Sequence, residues 1–392
     1  LYSVNVPNLL FAGRNVSVSH VALGSVRVMA TCAAMGQAVG TAAALALCEG
    51  VMPRELANRH IDILQQRLLR DDCYIPGVRN TDPADHARAA VVTASSAAAW
   101  NADTVDGWME LAPGVAQIFP VSDAHLDTMW LYLKSDRDTP ARIPVELFSA
   151  ESINDFGSTR SLGVFEATVP PHTETWLEFP LRHVTAGPNR FCRVVLGNLP
   201  GVHWAYGERS VLGVNRAAKY DRRYVPAGTP EWAAFGRNAR REPGTRGAFC
   251  MRLSPEPHPY GAANLASGVS RPDDWTNIWV SEPCLPQWVC LDFGRMIPVR
   301  TVQIVFDDDL DTNIYHEAPF GTLGQGMRPS LVREYRILAK AGDAWQELAH
   351  VRDNVHRRRV HAVSGVEASA IRIECLATHG APEARIYEVR VY

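Results

Sequence analysis

Asn8-Leu9-Leu10-Phe11-Ala12-Gly13-Arg14 is a short apolar run ending at a glycine. A polar-interrupted stretch follows from Asn15 to Leu23, then Gly24-Ser25-Val26-Arg27, then an alanine-rich segment from Val28 to about Leu47. The apolar run reads as a buried strand that stops at a turn, and the alanine-rich segment as a helix opened by Gly24-Ser25. A strand, a loop and a helix in that order present backbone N–H groups and the positive end of a helix dipole to an acceptor or an anion. Val28 to Cys48 is 21 residues without a charge, long enough to span a bilayer, and Gly36-x-x-x-Gly40 matches a membrane helix-packing motif. Thr31, Gln37, Thr41 and the many alanines make its transfer into lipid poor. The expectation is therefore a soluble helix buried on most sides, with Gly36 and Gly40 admitting a sheet or a cofactor close to its backbone.

These residues carry a resemblance. Asn8 to Arg14, Ser17, Ser19-His20, Ala22, Gly24-Ser25-x-Arg27-Val28-Met29, Thr31-Cys32, Gly36-Gln37-Ala38, Gly40 and Ala42-Ala43-Ala44 resemble the C-terminal cofactor motif of the FAD-dependent oxidoreductases of glutathione-reductase-like fold. The match covers about the first 75 residues. It takes in a helix from Pro53 to Arg70, and Asp71 to Gly77 resemble the end of that domain. The resemblance implies FAD as cofactor, with Ala12, Gly13 and Arg14 along its ribityl and pyrophosphate side and the Gly24-Ser25 helix start near the pyrimidine edge of the flavin. Negative charge gathers at that edge on reduction, and a helix N-terminus with Arg27 nearby would stabilise it. His20 is the candidate acid or base facing the ring; a loop imidazole that caps a carbonyl or the helix start is the alternative. Ser17 and Ser19 are weaker candidates, and Arg27 has its own alternative as a helix-start arginine paired with a carboxylate. The family's first strand and G-x-G-x-x-G unit, which hold the ADP half of FAD, do not occur. Gly321-x-x-Gly324-x-Gly326 has the wrong order and sits in a loop. The chain by itself is therefore not expected to hold FAD. It opens Leu1-Tyr2-Ser3-Val4, inside what reads as a domain, so an N-terminal part of the same protein is expected as its partner.

After Gly77 the helical signal gives way to short alternating segments separated by Pro, Gly, Asp and Asn. The expected fold class is thus multidomain: an α/β remnant of an FAD-binding domain over 1–80, a jelly-roll-like β-sandwich over 81–215, an irregular connector over 216–246, and a second sandwich over 247–392. Strands of the first sandwich are read at Gln117 to Pro120, Thr128 to Leu133, Val145 to Phe148, Trp176 to Phe179 and Phe191 to Leu196. In the second, Asn264 to Pro272, Asn277 to Ser281, Gln287 to Gly294, Val299 to Ile304 and Ile386 to Tyr392 resemble the discoidin or coagulation-factor type C domain, a galactose-binding-like sandwich. That resemblance implies ligand recognition by loops at one end, and Arg271, Trp275, Asn277, Tyr315 and His316 are the candidates. A sugar needs an aromatic plane for its apolar face and planar polar groups for its hydroxyls; the alternative is that these aromatics are core. Asp307-Asp308-Asp309-x-Asp311 reads as a solvated turn rather than a calcium site, since it lacks the EF-hand spacing.

The 392 residues are 46% hydrophobic and 21% charged, with a net charge of -3, so the chain can bury large cores and is a poor electrostatic match for nucleic acid. Eight cysteines without a C-x-x-C pair exclude a zinc ribbon or thioredoxin-like motif and are expected as free thiols. G-x-S-x-G, H-E-x-x-H and P-loop motifs are absent. The function expected is an FAD-dependent oxidoreductase acting on a carbohydrate or another hydroxylated small molecule, with a noncatalytic carbohydrate-binding or cell-surface protein as the alternative.

Overall fold

The structure, a computed structural model, describes residues 1–219, 231–234, 247–310 and 327–392. Its helical part runs α1 His20–Val26, α2 Met29–Glu49, α3 Pro53–Arg59 and α4 Ile61–Arg70. Ser19 caps α1 by accepting from the Ala22 N–H at 3.3 Å. Gly50 ends α2 in the left-handed region at φ 66°, which leaves its N–H free to reach Leu47 and Ala46 carbonyls. Pro53 preorganises the first turn of α3. Leu45 and Ala46 of α2 pack on Leu56, Leu64 and Leu68 to form a small core.

Three expectations for this part are corrected. Asn8 to Gly13 is no strand: one bridge joins Tyr2 to Leu10, with hydrogen bonds from Ser3 N–H to Leu9 and from Phe11 N–H to Leu1. A strand exists only through its neighbours, and no other described segment lies beside this one. The long helix opens at Met29, not at Gly24-Ser25, which lie inside α1. Gly24 and Ser25 are weak helix formers, and the chain leaves α1 at Arg27 and turns extended at Val28. Thr31 Oγ1 and Cys32 Sγ donate to the Ser25 and Val26 carbonyls and pin that break. Finally, α2 is not buried on most sides. One flank of it is left open: Met29 is 78% exposed, and a Cβ at Gly36 or Gly40 would have no neighbour within 4 Å, whereas Ala38 and Ala42 pack on the small core. By length and composition it is also the one helix among the described residues that could cross a membrane.

The first sandwich pairs two antiparallel sheets. One holds, in order, Trp232–Ala234, Asn215–Lys219, Val115–Val121, Arg190–Leu196, Ala141–Ala150 and Ser161–Val169. The other holds Met251–Ser254, His125–Ser135, Leu199–Tyr206 and Gly107–Leu111, with Thr173–Thr185 on the far edge of His125–Ser135. Alternation decides the faces: Met129, Leu131 and Leu133 point into a core with Phe119, Phe179 and Trp204. Trp204 stacks on Phe249 at 4.4 Å, and its indole N–H donates to the Cys250 carbonyl at 2.8 Å. The second sandwich is one hydrogen-bonded sheet ordered Trp279–Val280, Arg385–Val391, Gln287–Phe306, Arg358–Thr378, Val332–Ala341 and Ala344–Val351. Its two longest strands shift register between Asp292 and Ile297 and between Val299 and Thr301. At such shifts strands bend, so that Leu291 and Ile371 from one half share a core with Ile304 and Val389 from the other.

The expected domain boundaries do not separate the packing units. Val91–Ala94, assigned to the first sandwich, pairs with Val289–Asp292 of the second, and Ala87 lies in the second core. Conversely Met251–Ser254 pairs with Thr128–Leu131 of the first. The connector begins as a strand, Asn215–Lys219, paired with Val115–Ile118; the arginines from Arg222 to Arg241 fall outside the described residues. Each exchanged segment is apolar on alternate positions and completes whichever sheet edge it meets.

The helical part is locked to the second sandwich by Asp72, held at φ 59°. Its carboxylate accepts from Arg271 Nη1 at 2.9 Å, Arg357 Nε at 3.0 Å and Ser270 Oγ at 3.0 Å. Burial alone would raise this carboxyl, but Arg357 and Arg271 outweigh it and hold it below the ordinary carboxylate range. At the C-terminus of α4, Arg390 and Arg358 donate to the Leu69 and Arg70 carbonyls.

A depressed carboxyl stabilises the fold fully above its unfolded value of about 3.9 and loses that contribution as pH falls through the lower, folded value. Asp72→Asn leaves two partly buried guanidiniums short of a counter-charge, an expected cost of about 3 kcal/mol. Thermal melting and limited proteolysis should show the helical part released first. His361 adds a second acid sensitivity: it meets Tyr335 Oη at 2.8 Å, and burial and then Arg359 lower its pKa to about 4. Its neutral form stabilises the fold above about 6.5, the unfolded value, and that stability is lost as pH falls toward 4. A melting series across that range should be steeper for the natural chain than for His361→Gln.

Candidate functional site

The residues expected to face a flavin are mostly open to solvent. Ala12, Arg14, Ser19, His20, Gly24, Ser25 and Arg27 are exposed and Gly13 is half-buried. Gly13 sits at φ 108°, a conformation that strains any residue with a Cβ. Val16 N–H donates to its carbonyl at 3.3 Å, which shapes the loop. His20 opens α1 and Arg27 closes it. Neither side chain, nor that of Arg14, has a hydrogen bond or ion pair with a described residue. The N-cap of α2 is Val28, which has no side-chain acceptor. The first-turn N–H groups of a 21-residue helix therefore have no side-chain cap. The helix end with the dipole is thus at Val28 to Thr31, one turn beyond Gly24-Ser25.

The sugar-binding candidates of the second sandwich are placed differently. Arg271 is committed to Asp72. Trp275 is 8% exposed and packs on Phe191 with ring centroids 5.7 Å apart, so it offers no stacking face. Asn277 is buried at φ 50° and its amide donates to the Arg271 and Trp275 carbonyls, fixing the turn between them. These three form the seam around the Asp72 clamp and not a ligand loop: burial and internal partners have used the groups a sugar would need. Tyr315 and His316 lie outside the described residues. The acidic run is not a solvated turn either. Asp307 is buried and accepts from Arg385 at 3.0 Å, and Asp308 accepts from Arg357 at 3.1 Å; Asp311 lies outside the described residues. Among the described residues no group of three His, Cys, Asp or Glu side chains is arranged to hold a metal ion. All eight cysteines are free, and burial pushes the Cys192, Cys250 and Cys375 thiols up to about 12, which keeps them protonated.

The sequence reading missed an aromatic surface on the outer face of the five-stranded sheet. Tyr132 lies directly opposite Trp176, and Trp108 reaches Tyr132 across Ala205, whose small side chain leaves room. The ring centroids are 5.3 Å apart for Trp108 and Tyr132 and 5.0 Å for Tyr132 and Trp176. Trp130 stands one row along, between Arg252 and Glu178. The available signal was Met129 to Leu133, where both alternating faces are apolar or aromatic although only one can be core. Beside these rings lies a cavity of about 570 Å3, bounded by Trp100, Asp103, Trp130, Trp176, Arg252 and Glu256 among others. A second cavity, of about 610 Å3, lies between the sandwiches and is lined by Arg209, Glu282, Glu383 and Arg385.

Residues 1–68 match the family of FAD dependent oxidoreductases. No curated protein matches the chain. Solved structures similar to it include three sugar-binding modules. One is CpGH89CBM32-5 from Clostridium perfringens in complex with GalNAc-β-1,3-galactose, at 13% identity over 34% of this chain and 83% of that one, with a TM-score of 0.26. Another is the family 32 module of C. perfringens NanJ in complex with galactose, at 17% identity over 34% and 86%, TM-score 0.26. The third is a chitosan-binding module of a chitosanase/glucanase from Paenibacillus sp. IK-5 in complex with chitotriose, at 13% identity over 35% and 88%, TM-score 0.27. Likeness at this level assigns no ligand to the chain.

The family match over these residues implies FAD. The Gly13 turn and the uncapped start of α2 offer backbone donors to an acceptor, and the bare Gly36 and Gly40 face of α2 admits close approach. No G-x-G-x-x-G unit for the ADP half is present in the sequence.

Two tryptophans distinguish core from surface in the sandwiches. Trp275→Ala is expected to cost about 3–5 kcal/mol of stability and Trp176→Ala about 1 kcal/mol, the value of an aromatic contact. Urea unfolding followed by circular dichroism measures both, and equal costs would contradict the assignment of Trp275 to the core.

Proposed function

We propose that this chain is the C-terminal portion of an FAD-dependent oxidoreductase that oxidises a carbohydrate or another hydroxylated small molecule. Its dinucleotide-binding unit comes from polypeptide outside these residues. The observation that carries the reading is a 21-residue helix, uncapped at its start and open along its Gly36 and Gly40 flank, preceded in sequence by the Gly13 loop, all inside the matched 68 residues. When bound, FAD supplies the hydride acceptor. Ala12, Gly13 and Arg14 would hold its ribityl and pyrophosphate side; Ser19 caps α1, which carries Gly24 and Ser25 up to the start of α2, whose first-turn N–H groups favour negative charge. Arg27 adds a positive charge at that helix start. His20 takes the substrate hydroxyl proton. The bare flank of α2 packs against the rest of the FAD domain and excludes water there. This assigns α2 to a protein interior and not to a bilayer.

The absorbance spectrum tests the reading. Flavin bands should appear in the natural full-length polypeptide and not in this chain alone; bands in neither overturn it. In the flavin-loaded protein, His20→Ala should slow flavin reduction by substrate by about 10²–10⁴-fold, and an unchanged rate removes His20 from the mechanism.

A second reading, a noncatalytic glycan-binding protein in which the first 68 residues only pack, draws on the aromatic sheet face. Sugar retention by a full-length protein without flavin would favour it.

A further inference from the structure

The outer face of the five-stranded sheet carries three cross-strand rows. The middle row is Trp108, Ala205, Tyr132 and Trp176, in which successive ring planes are tilted by 34° and 37°. One flanking row is Arg252, Trp130 and Glu178; the other is Glu110, His203, Lys134 and Glu174. The four rings are half-buried, whereas Trp204 and Phe179 on the inner face are fully buried. An aromatic strip left partly open, with paired charges on both sides, departs from an ordinary solvated sheet face. Arg252 lies over the Trp176 ring at 4.1 Å and is tied to Asp103 at 3.1 Å, so a planar guanidinium fork and a carboxylate stand beside the rings. Trp130 Nε1 donates to Glu178 at 3.3 Å, which fixes its indole. The adjoining cavity of about 570 Å3 is within the size range of small-ligand sites. It reaches Trp100, 4% exposed, whose indole N–H has no hydrogen-bond partner among the described residues.

We propose that this face, with its cavity, binds an oligosaccharide: Trp130 and the parts of Trp108, Tyr132 and Trp176 left open to solvent meet the apolar faces of successive sugar rings, and Arg252 and Asp103 bond its hydroxyls. The flanking charges select the occupant. A protein laid over the strip would strip water from Lys134, Glu174, Glu178 and Arg252 without supplying partners for them, whereas sugar hydroxyls both donate and accept and replace that water directly. The site lies on the first sandwich, away from Arg271, Trp275 and Asn277. It deepens the carbohydrate part of the reading above and rests on that part alone. It needs no flavin, so a failed titration leaves the spectral test untouched.

The experiment is calorimetric titration of the full chain with cellotetraose, xylotetraose, chitotetraose, maltotetraose and a galactotetraose, repeated with Trp130→Ala and Trp176→Ala. Saturable binding of at least one sugar is expected, weakened about tenfold or more in each variant, as for the loss of an aromatic anchor, with melting temperatures near that of the natural chain. Binding of none of the five overturns the proposal, as does equal affinity in both variants. Sedimentation showing a dimer that Trp176→Ala dissociates would also overturn it, since a second copy would then cover the strip.

Discussion

The largely buried carboxylate of Asp72 connects parts of the chain that no sheet or helix joins. Arg271 reaches it from the loop before the second sandwich's first paired strand, and Arg357 from the turn before its longest one, so three segments far apart in sequence converge on two oxygens. Removing water from such a group is costly, and the arrangement holds because two guanidiniums and the Ser270 hydroxyl together satisfy it. Arg357 extends the lock by donating to the Ser270 and Phe306 carbonyls and to Asp308. The small core of α2, α3 and α4 is too slight to orient itself, and the clamp, with Arg358, Arg390 and the stacking of Arg70 on Tyr392 at 4.2 Å, sets where it stands.

The sandwiches are joined by exchange. The chain contributes Val91–Ala94 to the second before it builds the first, and Met251–Ser254 to the first before it completes the second. Ile278, Val280, Val305 and Tyr387 of the second sandwich lie in the core of the first. Separating the two sandwiches would therefore expose this shared apolar core to water. Both candidate surfaces are built on that support. One is the bare helix and glycine loop, whose backbone donors suit an anionic or carbonyl-rich group. The other is the aromatic sheet face, whose rings and paired charges suit a ligand that is apolar on one side and hydroxylated at its rim.

The amino-acid sequence by itself determined what short-range periodicity encodes. Alternation fixed the strands at Gln117 to Pro120, Thr128 to Leu133 and Gln287 to Gly294, and alanine content fixed α2, because side-chain direction follows from local backbone geometry. The FAD-oxidoreductase resemblance was legible in the spacing of small residues from Gly13 to Gly40. Partnership was settled only on folding: whether Asn8 to Gly13 finds a neighbouring strand, which sheet Val91–Ala94 completes, and whether Trp275 or Trp176 stays partly open to solvent. Both tryptophans sit among polar neighbours in sequence. One is covered by Phe191 and the other lies across from Tyr132, because burial and strand pairing are set by residues tens to hundreds of positions away, which no local pattern records.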